Sequence, residues 1–533
     1  MSESLLLKNG FVFDPKNNVN GECMDIAVKN GVIVESVKEK DSKVIDAKGK
    51  IVFPGGIDIH THIASQHVNF GRILYPSISD KVLFTSPKVG LTYSKMGYTF
   101  ALEAAVSPTK ALHTHIEFSD IPVLDYACLL LLDTYWYLLP AARKRSGEEA
   151  APIISWLLES TKTYGIKLVN PLSSEMWGFK KEITSLDEPV KHLGVSPLDV
   201  IQTLARANEY LGLPHPIHIH PNEALKVGNY EITLKTLKAL EEVKPNKKQR
   251  SVHLAHAQLH SYGGTEIIES KADQIAEYIN THPNVEADIG QMVPHETISL
   301  YADNPLLTRI AKEKNISTDQ VEMEASFGAA LTEYKMDAIG SIMWATGLEL
   351  ALKIKDPWQI QLSVDHPNLG IITDYPRIIS WLVSKNARDE VKLEADTSLS
   401  SIDREYSLYE IAIITRASPA QSLNLPKKGN LSVGSDADIA VYDFNPETQD
   451  PSKETEALIK AFFQTSFTIK NGIIVMKEGE VLEKPRGKTY WAHRAGTVLP
   501  EKNLTEMQRY YSLDINNLKT PIETLHSPQE ITY

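Results

Sequence analysis

From about residue 55 to about residue 420 the chain alternates short apolar, β-rich runs with stretches of helical periodicity. This alternation limits its fold more than any other feature. YTFALEAA, YGIKLVN, PIHIHP, SVHLAHA, VEADIG and IQLSVD read as strands, whereas PIISWLLESTKTY and SPLDVIQTLARANEYLG repeat apolar residues every three or four positions and read as helices. Strands and helices in alternation point to a parallel α/β sheet or barrel. The two ends differ from this middle. Residues 1–54 hold LLLKNGFVFD, MDIAVKNGVIVESV and KVIDAKGKIVF, broken by NG and KG turns, and KKGNLSVGSDADIAVYDFNPE with SFTIKNGIIVMKEGEVLE repeats that texture near the other end. The expected organisation is one β domain contributed by residues 1–54 and 421–485, a barrel across 55–420, and an extension over 486–533. That extension is polar and mixed in sign, and is expected to wrap the domain or meet another subunit.

Composition narrows the function. With 55 Lys and Arg against 68 Asp and Glu, the net charge is −13 and no basic block exists, so a nucleic-acid partner is not expected. The most apolar window, VLDYACLLLLDTYWYLLPAA at 123–142, carries Asp125 and Asp133 and reads as core rather than as a membrane span. MSESLLLKNG has no secretory pattern, and Cys23 and Cys128 are too few for a disulfide framework. A reduced, cytoplasmic protein is expected.

Chemistry-bearing residues gather at the ends of the strand-like runs. In PGGIDIHTHI, the period of a strand points His60 and His62 to one face, where two imidazoles can meet a divalent metal. His113 and His115 repeat the spacing in ALHTHIEFS, but a helix-like context marks that pair as a surface or packing feature. PIHIHPN offers His218 and His220 on a shared face. His220, nearer the mouth, is the expected ligand, and His218 a neighbouring support or substrate contact. In SVHLAHAQLH strand parity sets His253 and His256 on opposite faces, so His256 is expected inside and His253 between strand and helix. LSVDHPN adds Asp365 and His366. Lys167, inside the apolar run YGIKLVN, has two readings: a buried ion pair, or an amine whose pKa burial depresses until it captures carbon dioxide as a metal-bridging carbamate.

His60, His62, Lys167, His220, His256 and Asp365, in that order, resemble the metal ligands of the amidohydrolase superfamily, whose binuclear centre includes a carboxylated lysine. KGNLSVGSDADIAVYD is similar to the superfamily's C-terminal β segment. Within the superfamily, LLLKNGFVFDP, KMGYTFALEAAVSP, KLVNP, GNYEITL, HLAHAQLHSYGG and DHPN resemble the A components of formylmethanofuran dehydrogenases and of methylotrophic formyltransferase/hydrolase complexes, through most of residues 1–480. The resemblance implies a distorted (β/α)8 TIM barrel with a composite β-sandwich from both chain ends. It implies two divalent ions, Zn2+ by ligand type, with N6-carboxylysine at Lys167. It also implies hydrolysis, or reversible formation, of the N-formyl group of a methanofuran-type carrier beside partner subunits.

In that setting Asp365 is expected to move the proton of the attacking water. Arg72 in NFGRILYPS and Asn170 in KLVNP could hold the carrier, Arg72 through a carboxylate or else sitting in a surface ion pair instead, and His260 is expected to orient a ligand. Two other readings stand beside this one. A cyclic-amide hydrolase of hydantoinase or dihydroorotase type would share the metal chemistry, and a non-catalytic scaffold component would keep only the barrel.

Overall fold

The computed structural model describes residues 4–133, 135–173, 183, 185–243, 245, 250–301, 321–324, 327–510 and 514–533. Its centre is a sheet of eight strands in chain order: β1 (Gly56–Thr61), β2 (Tyr98–Val106), β3 (Asp125–Leu131), β4 (Gly165–Val169), β5 (Ile217–His220), β6 (Val252–Leu254), β7 (Val285–Asp288) and β8 (Ile360–Gln361). Every neighbouring pair is parallel. The sheet closes where Thr61 bridges His366 in parallel and the His62 amide donates to the His366 carbonyl at 2.9 Å. Helices follow the strands, as the alternation predicts. The Pro197–Leu211 helix shows why: Ser196 and Asp199 cap each other across its first turn, Pro197 suits its first position, and Gly212 ends it in the left-handed region. This is the expected (β/α)8 barrel, so active-site residues belong at the C-terminal ends of its strands.

The two chain ends build one nine-stranded sheet, joined where Ile51–Pro54 pairs antiparallel with Ile439–Tyr442. Alternation decides its faces. Val52 joins Leu5, Leu7, Ile26 and Ile439 in a core of the sheet's own, whereas Ile51 and Phe53 point the other way into the barrel's core. Ile51–Pro54 runs directly into β1, so this sheet anchors the strand that carries His60. A buried ion cluster ties the domains together. Lys428 contacts Asp125 at the start of β3 and lies 2.7 Å from both Asp436 and Asp438, and Lys470 lies 2.7 Å from Asp125 and 2.8 Å from Asp438.

The extension folds onto its own barrel. Tyr490–His493 pairs in parallel with Gln529–Thr532, the Ala492 amide donates to the Thr163 carbonyl at 3.0 Å, and Trp491 is 1% exposed. Between β7 and the Ala338–Lys353 helix the strands Glu296–Tyr301, Val321–Glu324 and Phe327–Glu333 form a three-stranded antiparallel sheet. His113 and His115 lie on the Ala111–Phe118 helix, where a spacing of two splits them. His113 is exposed, while His115 is buried with Nε2 3.0 Å from the Thr161 carbonyl. Among the described residues, no helix is long and apolar enough to cross a membrane.

Candidate metal centre

A cavity opens at the C-terminal ends of the barrel strands, and His60, His62, Lys167, Asn170, His220, His256 and Asp365 all line it. Each comes from a different strand end or shares one by alternation. His60 and His62 leave β1 on its inner face; Lys167 sits within β4, paired in register with His218 of β5. His220 closes β5. His256 and Asp365 lie just past β6 and β8 with φ of 29° and 46°, and Asn170 follows β4 at 43°. Positive φ at three non-glycine residues around one cavity is the kind of backbone strain that collects at functional sites.

The donors converge. His60 Nε2 and His62 Nε2 lie 3.4 and 3.3 Å from Asp365 Oδ1, His256 Nε2 is 4.0 Å from Asp365 Oδ2, and His220 Nδ1 is 2.9 Å from His256 Nε2. His60, His256 and Asp365 form one set of ligand atoms mutually within 4.8 Å, and His220, His256 and His260 form another. The opposite edges of the first two rings are held by carboxylates. His62 Nδ1 is 3.0 Å from Glu103 Oε1, and His60 Nδ1 is 3.0 Å from Asp288 Oδ2. Asn368 Nδ2 donates to both Asp365 oxygens at 3.2 Å.

Burial holds the His60, His220 and His256 imidazoles below their ordinary range, which keeps them neutral, and His62 is the exception. Although burial lowers it, the His62 imidazolium is held up to about 9 by Asp365 and Glu103. Burial brings the Lys167 amine down to about 8 against the pull of Asp288 and Asp365. Its Nζ has no hydrogen-bond partner, nor do His220 Nε2, His256 Nδ1 or either nitrogen of His260. Buried polar atoms without partners are costly. Imidazole nitrogens and a carboxylate converging on one cavity are a donor set that fits a divalent ion, and the residues present match that requirement.

A model of the amidohydrolase family matches residues 43–476. The chain belongs to that family. This amidohydrolase is 39% identical over 558 aligned positions to protein FwdA of Methanocaldococcus jannaschii, covering 98% of this chain and 97% of that one. It is 31% identical to the A component of the formyltransferase/hydrolase complex Fhc of Methylorubrum extorquens, covering 87% of each chain. Its fold matches a chain of the crystal structure of that organism's FhcABCD complex with methylofuran at a TM-score of 0.89, with 28% identity and 99% of both chains covered. Likeness to the dihydroorotase of Aquifex aeolicus is confined to 62 residues, 11% of this chain.

Two expectations are corrected by the amidohydrolase's geometry. Arg72 does not face the cavity. Its guanidinium binds Glu117, donates to Asn69 Oδ1 at 3.0 Å and to the carbonyls of Phe84 at 2.8 Å and Ile63 at 3.0 Å, with a longer contact to Leu83. No donor is left for a carrier carboxylate. His253 does not lie between strand and helix either: it points into the barrel, with Nε2 3.0 Å from Asp288 Oδ2 and Nδ1 2.9 Å from Glu286 Oε1. The parity argument fails because β6 ends at Leu254. His256 lies beyond the strand, and its left-handed backbone turns it back over the barrel.

His218 and His260 sit behind the lining. His218 Nε2 is 3.2 Å from His60 Nδ1, its Nδ1 is 3.1 Å from His215 Nε2, and its ring stacks on His253 at 4.1 Å. One ring nitrogen from each of His215, His218 and His253 also lies within 4.8 Å of the others, and the His215–His218 hydrogen bond links two of them. His260 packs its ring against His220 at 4.6 Å and His256 at 5.3 Å. Sequence reading missed Glu103, Asp288, Asn368 and His67, the last two of which line the cavity. The signal was present in FALEAAV and VEADIG, where an acid inside an apolar strand needs a partner just as Lys167 does.

Proposed function

We propose that this amidohydrolase cleaves, or reversibly forms, the N-formyl group of a methanofuran-type carrier, giving formate and the free amine, as the A component of a multi-subunit one-carbon complex. The observation that carries this reading is likeness along the whole chain, at 39% identity to FwdA and 31% to the Fhc relative, against 62 residues for dihydroorotase. A cyclic-amide hydrolase would be favoured by the opposite pattern. The convergence of six donor residues in one cavity speaks against a scaffold that has lost its chemistry.

His60, His62, Lys167, His220, His256 and Asp365 would hold two divalent ions, with zinc suited to this nitrogen and oxygen set. Such ions supply Lewis acidity and a water of lowered pKa. The chain's own residues do the rest. Lys167, drawn toward neutrality by burial, forms an N–C bond to carbon dioxide and releases a proton, becoming a carbamate that serves as an oxygen ligand. Asp365, fixed by Asn368, takes a proton from the attacking water and returns it to the departing carrier nitrogen. Asn170, His67 and Asn368 line the space the formyl group would enter, while His260 and His218 brace the histidines in front of them.

Elemental mass spectrometry of the purified protein beside Lys167→Ala tests the reading. Two zinc atoms per chain, lost in the variant, together with release of formate from an N-formyl furfurylamine carrier but not ring opening of hydantoin or dihydroorotate, is the expected result. Ring opening without formate release would replace the reading with the cyclic-amide one. No bound metal after zinc and bicarbonate are supplied would replace it with the scaffold.

A further inference from the structure

Beneath the metal-facing histidines lies a second polar layer that the proposed reaction does not use. Glu286 and Asp288 alternate along β7, so both side chains point into the barrel. His253 of β6 pairs in register with Glu286 and is held between the two acids, 2.9 Å from Glu286 Oε1 and 3.0 Å from Asp288 Oδ2. Ser363 Oγ donates to the other oxygen of Asp288, and Ser422 Oγ donates to Glu286. All three of His253, Glu286 and Asp288 are buried to within 1% of completely. Arg250 Nε stands 3.9 Å from Glu286 Oε2. From this layer Asp288 reaches across the barrel to His60 Nδ1 at 3.0 Å, on the edge of the ring opposite the atom that faces Asp365.

We infer that Asp288 is a positioning residue that sets the tautomer and aim of His60, and that His253 and Glu286 keep Asp288 in place. This inference rests on the reading of His60 as a metal ligand. An imidazole can present a lone pair at Nε2 only if its proton sits on Nδ1, and a carboxylate at Nδ1 enforces that arrangement. A competitor is present, since His218 Nε2 lies 3.2 Å from the same nitrogen. A carboxylate oxygen is a stronger acceptor than an imidazole nitrogen, so Asp288 outcompetes His218 for the His60 Nδ1 edge. His253 holds the same Asp288 oxygen at 3.0 Å from its other side, and Glu286 fixes His253 in turn at 2.9 Å.

The test is zinc affinity of the full chain, measured by competition with a chromophoric chelator, for wild type, Asp288→Asn, His253→Gln, the double variant and His60→Ala. Thermal unfolding of each metal-free protein is measured alongside. Asp288→Asn should weaken zinc binding by about 10- to 100-fold, the range for removing such a partner. His253→Gln should weaken it at least threefold, and the double variant should bind no more weakly than Asp288→Asn alone, because both act through one contact. A purely structural layer would lower the unfolding temperature in both single variants while zinc affinity stayed within threefold of wild type, and that result overturns the inference. If Asp288→Asn does not fold, His253→Gln decides by the same threefold criterion. His60→Ala separates the two levels. Wild-type zinc affinity in His60→Ala removes the reading of His60 as a ligand, whereas loss there with none in the other variants removes only the role of Asp288.

Discussion

Glu103 Oε1 lies 3.0 Å from His62 Nδ1, while its second oxygen accepts the backbone amides of Ile63 at 2.7 Å and Ala64 at 2.9 Å. One carboxylate therefore fixes both the ring and the turn that carries it. Glu103→Gln keeps the shape but removes the charge and sets an amide N–H against one of these donors. Zinc affinity should drop about 10- to 100-fold, and the metal-free protein should lose about 1–3 kcal/mol of stability. Chelator competition and thermal unfolding would show it. Unchanged zinc affinity would mean that Glu103 serves the turn alone.

Gly290 is the seat of His256. A Cβ added at Gly290 would fall 2.3 Å from His256 Cβ and 2.7 Å from its Cα, at a position whose φ is +62°. Gly290→Ala should therefore cost about 1–3 kcal/mol from the backbone and more from the overlap. Metal content should fall together with the unfolding temperature. A Gly290→Ala protein with full metal and wild-type stability would contradict this placement of His256.

Asp365→Asn preserves the side chain's shape and its contact with Asn368 but cannot take up a proton. On the proposed mechanism kcat for formate release should fall about 10²- to 10⁴-fold, the range for general acid–base catalysis. A variant that still binds metal and keeps its hydrolytic rate would remove Asp365 from the proton path.

Arg72→Ala should act on stability rather than on carrier binding. It leaves the partly buried Glu117 without its ion-pair partner, though Asn69 and Ser86 still donate to it, which costs about 1–3 kcal/mol. The Michaelis constant for a formylated carrier should stay within about twofold of wild type, about 0.4 kcal/mol of binding energy. A large rise in that constant with stability intact would bring Arg72 back to the substrate.

His115 gives a pH signature away from the metal. Burial lowers its imidazole to about 4, with the Thr161 carbonyl and backbone nearby opposing. The unfolded chain takes up this proton near pH 6.5 and the folded chain only near 4, so the folded state binds fewer protons in between. Stability from this group is full above pH 6.5 and is lost as pH falls toward 4, by about 3 kcal/mol at most. Denaturant unfolding of His115→Gln should show a flatter pH dependence than wild type across that window. Parallel curves would mean that His115 does not titrate as its burial requires.

Much of this architecture is local information. Alternation of strand and helix fixed the barrel, NG and KG turns marked the β ends, and spacing in PGGIDIHTHI put His60 and His62 on one face. Each depends only on the period of a single element. Lys167 inside an apolar strand and the shared face of His218 and His220 were legible for the same reason, while the ligand set as a whole came from the family resemblance.

What strand periodicity could not carry was the point where an element stops and what faces it across the barrel. His253 and His256 both reach the interior because β6 ends at Leu254, and no parity rule survives a left-handed turn. Glu103, Asp288 and Gly290 belong to other strands, so their contacts with His62, His60 and His256 exist only once the barrel closes. The ion-pair alternative for Arg72 had no partner legible in sequence because Glu117 lies 45 positions away. The sequence alone determined which faces are apolar and which residues could bear chemistry. The tertiary structure decided which of them meet, because hydrogen bonds and ion pairs act over about 3 Å in space, whatever the separation along the chain.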